Sequence, residues 1–216
     1  FIGGAKIKKD IRASNVEYPE IDKNTLEYFD FADVEKLKKT GENIFNIDLK
    51  SAYARVLLNH NLITENTFFY LQHIPKEDRL ASAGMLASRK DIYYKVGREL
   101  IKKETINSNT ENYFFMCVKH VAEIMREIKK ILAEDFVYSW VDGVFSENKK
   151  NEIKIEKYLK SIKHPFTLEE VTNFRYFSDE KNKKIIFSKS GKEKSLNLPN
   201  KNSEQINAIL RIIDNY

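Results

Sequence analysis

Two short apolar segments, each interrupted by one carboxylate, constrain the fold of this chain most strongly. The first reads NIFNIDLKSAY over residues 43–53 and carries Asp48, and the second reads VYSWVDGVFSE over residues 137–147 and carries Asp142. An ionised carboxylate is costly to bury without a partner. Taken singly, each acid is explained as an ordinary strand-end or turn residue. Taken together, the two segments indicate a shared site.

The order of residue types around each acid predicts local structure. Residues 43–49 are rich in Ile and Phe and run into SAYARVLLNH, whose apolar spacing is helical, so a strand leads directly into a helix near Asp48. Residues 136–140 and 144–147 are two apolar runs about a tight turn, which predicts a β-hairpin with Asp142 at its tip. Two such acids can meet across neighbouring strands, and paired carboxylates suit hard cations such as Mg²⁺.

The rest of the chain predicts an α+β fold in which a small antiparallel β-sheet is covered by helices on one face. Its 216 residues are enough for one large domain or two small ones, and nothing in the sequence demands a second domain. The residues of segment 76–103 are mostly good helix formers with a basic face, which predicts one long helix or two abutting helices. The other predicted elements are helices over 113–132 and 150–162, strands over 166–177 and 184–198, a turn at 188–192, and a closing helix marked by Ile206, Ile209, Leu210 and Ile213.

Charge and cysteine content indicate which partners and which cellular compartment to expect. The chain has 37 Lys and Arg against 32 Asp and Glu, a net charge of +5, and its basic residues cluster at 8–9, 129–130 and 181–184. A Lys-rich solvated surface and a polyanion-binding surface both explain this excess, and the clustering favours the second. The single cysteine, Cys117, allows no internal disulfide and favours a reducing, cytoplasmic setting. No segment approaches the about 20 apolar residues of a membrane span, so no membrane partner is expected. The start FIGGAKIKKD lacks a signal-peptide core and an initiator Met, which favours a processed or excised chain.

Two motifs carry a family resemblance. Residues 48–53, DLKSAY, resemble the DxxSLYP motif A of family B DNA polymerases, and residues 138–145, YSWVDGVF, resemble their motif C, YxDTDSVF. Ala54 replaces the motif A proline, while Trp140 and Val141 stand where motif C has its first Asp and its Thr. Residues 1–4, FIGG, are similar to the YxGG segment of the protein-primed branch. Residues 76–84 fit motif B, KxxxNSxYG, at its Lys and Gly but not at its Asn and Tyr.

The resemblance implies a single palm-like polymerase domain over 1–216, with reduced fingers at about 60–104, a C-terminal β/helix extension at about 165–216, and little or no thumb. It implies two-metal-ion nucleotidyl transfer, in which a deoxynucleotide is added to a primer 3′ end. The implied cofactor is Mg²⁺, with Mn²⁺ as a substitute. The implied partners are a DNA primer and template, deoxynucleotides, and a terminal or accessory protein. Two alternatives remain open: a catalytically degenerate palm that binds nucleic acid or protein, and a metal-dependent nuclease.

The same resemblance assigns roles to individual residues. Asp48 and Asp142 become the catalytic metal ligands, with the Leu49 backbone carbonyl as a further ligand. The implied nucleotide-binding residues are Ser51, Tyr53, Lys76, Arg79 and Lys90, with the Tyr53 ring excluding a ribose 2′-hydroxyl. The implied nucleic-acid-binding residues are Gly3, Gly4, Lys183 and Lys184. Structural alternatives are a helix cap for Ser51, core packing for Tyr53 and Trp140, and a solvated helix face for Lys76, Arg79, Arg89 and Lys90.

Overall fold

The computed structural model describes residues 2–22, 31–32, 37–38, 44–96, 99–179 and 183–197. Within the chain, two compact units are distinguished. The helical unit comprises Phe1–Leu26, Tyr53–His120 and Ile212–Tyr216, and the sheet unit comprises Glu27–Ala52 and Val121–Arg211. The predicted closing helix at 206–213 lies outside the described residues.

Close helix packing characterises the helical unit. Its helices are α1 (Ile2–Ala13), α2 (Ala52–Asn59), α3 (Glu65–His73), α4 (Lys76–Gly84) and the first part of α5 (Glu111–Leu132). A Cβ atom added to Gly3 would lie 2.3 Å from Ser82 Oγ, and one added to Gly4 would lie 2.3 Å from Met85 Sδ. Gly3 therefore lets α1 approach α4 more closely than a larger residue would allow, whereas at Gly4 a larger residue would displace the Met85 side chain of the 3₁₀ turn after α4.

The segment after α4 corrects one prediction. The helix ends at Gly84, a 3₁₀ turn covers Met85–Ala87, and an antiparallel hairpin of β3 (Arg89–Val96) and β4 (Glu99–Asn107) follows. The prediction of a helix through residue 103 is therefore wrong. Charged residues that favour a helix instead interact across the two strands. Asp91 forms an ion pair with Lys103 at 2.9 Å and accepts a 2.7 Å hydrogen bond from the Thr105 hydroxyl. Cross-strand pairs of this kind stabilise a sheet.

The sheet unit contains an antiparallel sheet of seven described strands: β1 (Phe31–Ala32), β2 (Ile44–Leu49), β5 (Phe136–Trp140), β6 (Gly143–Ser146), β7 (Phe166–Ser178), β8 (Lys183–Lys189) and β9 (Lys192–Asn197). Their order across the sheet is β1-β5-β6-β2-β7-β8-β9. The mixed α+β prediction is confirmed, and the strands predicted around Asp48 and Asp142 and in the last part of the chain are present. The helix α6 (Glu152–Ser161) belongs to this unit and matches the predicted helix at 150–162.

Chain connectivity places β2 at the centre of this sheet. The order β2, α5, β5, β6, α6, β7 along the chain, with β6 and β7 flanking β2, is the split β-α-β arrangement. The hairpin formed by β5 and β6 therefore lies directly beside the strand that carries Asp48.

The sheet curls, and its core lies inside the curl. Phe145 on β6 and Phe187 on β8 are three strands apart, about 14 Å in a flat sheet, yet their ring centroids are 5.1 Å apart. A β-bulge in β7, where the register shifts between Thr172 and Arg175 and Asn173 has a φ of 53°, supplies the bend. The buried cluster inside the curl contains Leu37, Ile44, Val137, Tyr138, Phe145, Val171, Phe174, Ile185 and Phe187.

Among the described residues, no helix is long and apolar enough to span a membrane.

Candidate functional site

The two acids of the sequence motifs lie on neighbouring strands. Asp48 on β2 pairs with Gly143 on β6, and the Leu49 amide donates a 2.9 Å hydrogen bond to the Asp142 carbonyl oxygen. Trp140 pairs with Gly143, so Val141 and Asp142 form a two-residue turn. The predicted hairpin with Asp142 at its tip is confirmed, and β2 holds this tip beside Asp48.

The Asp48 carboxylate faces the hairpin. A Cβ atom on Gly143 would lie 3.6 Å from Asp48 Oδ1, which is an ordinary van der Waals distance. The side chain is half-buried, and within the described part of the chain no hydrogen bond or ion pair engages it. A half-buried anion in this setting is suited to a cation ligand, because a charge withdrawn from water gains from a bound counter-charge.

The turn that carries Asp142 has an unusual backbone. Val141 has a φ of 47°, in the left-handed region that β-branched residues rarely adopt. Such a residue costs about 1–3 kcal/mol and persists only when its surroundings hold it. Here the pairing of Trp140 with Gly143 and the bond from Leu49 hold the turn on both sides.

Two carboxylates are compatible with magnesium chemistry. In the described ranges, no group of three or more His, Cys, Asp or Glu side chains is arranged to hold a metal ion. Mg²⁺ is usually held by one or two carboxylates together with water and substrate phosphates, rather than by a complete protein cage. Asp48 and Asp142 are compatible with such a partial ligand set by their chemistry, and the ligand roles of Asp48, Asp142 and the Leu49 carbonyl stay predictions.

A polar network beside Asp48 escaped the sequence analysis. Asn46 lies two residues before Asp48 on the same face of β2. Its side-chain oxygen accepts a 2.8 Å hydrogen bond from Lys189 Nζ, and its side-chain nitrogen donates to the Val144 carbonyl at 3.3 Å. Lys189 also lies 3.6 Å from Glu169 Oε2 on β7. The two-residue spacing from Asp48 could have indicated Asn46, whereas no local pattern indicates Lys189.

Three other predicted ligand-binding residues, Ser51, Lys183 and Lys184, belong to the sheet unit. Ser51 precedes α2 with a φ of 52°, between β2 and the helix, as the strand-to-helix prediction requires. Lys183 and Lys184 open β8 and are half-buried, and Lys184 Nζ lies 4.9 Å from the centroid of the Phe177 ring. Their predicted roles toward ligands stay predictions.

The remaining predicted residues belong to the helical unit. Tyr53 is half-buried and packs edge-on against Phe114, with ring centroids 5.6 Å apart. Lys76 is exposed at the start of α4, and Arg79 lies one turn later and is half-buried. Lys90, expected on a helix together with Arg89, is instead exposed on β3, where adjacent side chains point to opposite faces.

Gly3 and Gly4 are buried inside α1, where helix packing accounts for both. Their predicted contact with nucleic acid stays a prediction.

Comparisons with protein-family models, curated proteins and solved structures find no match to this chain.

Proposed function

We propose that this chain is a palm-like nucleotidyltransferase that adds deoxynucleotides to a primer 3′ end. The observation that supports this most directly is the pairing of β2 with the β5–β6 hairpin, which brings the Asp48 strand beside the Asp142 turn. These are the segments whose residues resemble polymerase motifs A and C. Joint metal binding by the two acids requires that their strands lie side by side. Asp48 and Asp142 are far apart in sequence, so this proximity comes from the strand pairing.

In this proposal, Asp48 and Asp142 hold Mg²⁺ ions, for which Mn²⁺ can substitute. Bound metal ions supply charge stabilisation for the attacking and leaving oxygens of a phosphoryl transfer. The chain's own contribution is to fix two carboxylates on a rigid sheet, since β2 is paired on both sides, with β6 and with β7. Asp48 thereby keeps its position without a hydrogen bond to any described side chain.

The substrates of this proposal are a DNA primer with its template and deoxynucleoside triphosphates. Ser51, Tyr53, Lys76, Arg79 and Lys90 are the proposed nucleotide contacts, and Gly3, Gly4, Lys183 and Lys184 the proposed nucleic-acid contacts. A terminal or accessory protein is a further proposed partner. The single cysteine, which is fully buried, is compatible with the reducing cytoplasmic setting that the proposal includes.

The test is a primer-extension assay with a labelled primer, with and without template, all four deoxynucleotides, and Mg²⁺ or Mn²⁺. We expect metal-dependent extension that Asp48→Asn and Asp142→Asn each reduce by about 100-fold or more. Glu170→Gln is the matched control, because Glu170 is exposed on β7 and pairs with Phe45, on the face opposite to Asp48. Extension at the wild-type rate by Asp142→Asn would contradict the site assignment. Primer degradation would instead indicate a nuclease, and binding without reaction a degenerate palm.

Metal binding can be followed without catalysis. Trp140 is the only tryptophan of the chain and pairs with Gly143, one residue from Asp142. Paramagnetic Mn²⁺ bound at Asp142 should therefore quench Trp140 fluorescence, and Asp142→Asn should weaken this quenching. If the wild type and both Asn variants gave equal Mn²⁺ titrations, neither Asp48 nor Asp142 would be a metal ligand.

A further inference from the structure

We propose that Lys189 is a positioning residue for the Asp48–Asp142 site and that it acts through Asn46. The proposed role in catalysis rests on the nucleotidyltransferase proposal, whereas the effect on the hairpin can be tested without it. Neither residue was among the predicted site residues, and the two are brought together by the curl of the sheet.

Lys189 is held in an unusual position for a lysine. Its side chain is only 13% exposed, although lysines are seldom buried without a partner. Its ammonium donates to Asn46 Oδ1 at 2.8 Å and lies 3.6 Å from Glu169 Oε2. Glu169 pairs with Asn46 across β7 and β2, so both partners of the ammonium belong to one row of the sheet. Glu169 thus balances the charge of the Lys189 ammonium, and the ammonium donates its hydrogen bond to Asn46.

The ammonium fixes the orientation of the Asn46 amide. An ammonium can only donate hydrogen bonds, and a carbonyl oxygen can only accept them. Asn46 therefore turns its oxygen to Lys189 and its NH₂ group to the Val144 carbonyl, 3.3 Å away. The opposite orientation would set two donors against each other at one end and two acceptors at the other. Because Asn46 is only 6% exposed, water cannot readily replace either bond.

The fixed amide lies at the hairpin that carries Asp142. A Cβ atom on Gly143 would be 3.8 Å from Asn46 Nδ2 and 3.6 Å from Asp48 Oδ1, so both groups border the same point of β6. Val144, the acceptor of the amide, follows Gly143 directly. Asn46 thereby ties β6 to β2 by a side-chain bond in addition to the strand pairing. Loss of Lys189 would free the amide and loosen the hairpin tip.

Residues that orient metal ligands without touching the metal commonly change activity by 10–100-fold when they are replaced. We expect Lys189→Met to lower kcat for primer extension by about 10–100-fold, with the nucleotide KM changed by less than about twofold. Lys189→Arg, which keeps a cationic donor, should restore most of the rate. Lys192→Met is the matched control, because Lys192 pairs with Lys189 in the β8–β9 hairpin but is exposed.

A double variant separates positioning from direct substrate contact. If Lys189 acts through Asn46, Lys189→Met should cost little further rate in an Asn46→Ala background. An additional loss as large as in the wild-type background would overturn the proposal and give Lys189 its own contact with substrate. Circular dichroism at the assay temperature confirms that each variant is folded.

A second measurement, which does not depend on activity, is the quenching of Trp140 fluorescence by acrylamide. Lys189→Met and Asn46→Ala should each raise the quenching constant by about twofold, because a loosened hairpin opens locally more often, and Lys192→Met should leave it unchanged. If Trp140 is quenched equally in the wild type and in Lys189→Met, the positioning role is wrong even where extension is observed. If the quenching changes as expected but the wild type extends no primer, the nucleotidyltransferase proposal fails and the structural coupling stands.

Discussion

Replacing Gly3 by Ala should destabilise the helical unit, because the added methyl group has no room. Its Cβ would lie 2.3 Å from Ser82 Oγ, 3.0 Å from Ser82 Cβ and 3.2 Å from Leu71 Cδ2. Ser82 is 1% exposed, and its hydroxyl donates a 2.6 Å hydrogen bond to the Asp78 carbonyl, so it cannot move away without losing that bond. Overpacking of this kind costs about 1–3 kcal/mol. Gly3 lies in the first turn of α1, where the gain in helix propensity from Ala offsets little of this cost.

The assay is urea unfolding followed by far-ultraviolet circular dichroism, because Trp140 lies in the other unit and need not report on this one. With an m-value of about 1–3 kcal/mol per molar urea, the expected loss shifts the midpoint by about 1 M. The control is Gly84→Ala at the end of α4, where a Cβ atom meets nothing within 4 Å, and where Ala should stabilise by about 0.5–1 kcal/mol. If Gly3→Ala were as stable as the wild type but bound primer less tightly, the packing explanation would be wrong and the predicted nucleic-acid role supported.

Two further predictions concern pH and backbone strain. Partial burial raises the pKa of Asp10, but hydrogen bonds from the Thr64 amide, the Thr67 side chain and the Thr64 hydroxyl, together with the charge of Lys9, outweigh it and hold that pKa below the ordinary 3.8. The resulting stability is present above pH 3.8 and is lost as the pH falls through the lower folded pKa, so Asp10→Asn should flatten the acid limb of a stability–pH curve, and an unchanged limb would refute this. Val141→Asn should stabilise the sheet unit by about 0.5 kcal/mol in urea unfolding followed by Trp140 fluorescence, because Asn tolerates the left-handed backbone better than Val, and a clear loss of stability would show that Val141 is not strained.

Elements with a strong local signal could be predicted from the sequence. The helical apolar spacing of α5, the Ile- and Phe-rich run of β2 and the turn between β5 and β6 all lie where the residue types indicate. The predicted turn at 188–192 is also present, with Ser190 and Gly191 at φ values of 53° and 73°, as a two-residue hairpin turn requires. In these cases, propensity, pattern and burial agree, so local sequence suffices.

The β3–β4 hairpin could not be predicted in the same way, because burial contributes little to it. Five of the eight β3 side chains are exposed and the other three are half-buried, so no buried face marks the strand with a two-residue apolar pattern. The Lys and Glu residues of the β3–β4 hairpin favour helices when they are considered alone. The pairing partner decides the outcome: Asp91 bonds Thr105, 14 residues away, and Tyr94 bonds Glu104. Such pairs exist only after the turn has formed.

The candidate site shows the same division between local and long-range information. Asp48 stands out because it interrupts an apolar run, but Lys189 reaches Asn46 across 143 residues of sequence. That contact depends on the β7 bulge at Asn173, since a flat sheet would leave β8 two strand spacings, about 10 Å, from β2. The bulge therefore does more than bend a strand, because it brings the half-buried Lys189 to the row of the sheet that contains Asn46 and Glu169. It follows that a change that removes the bulge should disturb Asn46 and the hairpin tip although it alters neither carboxylate.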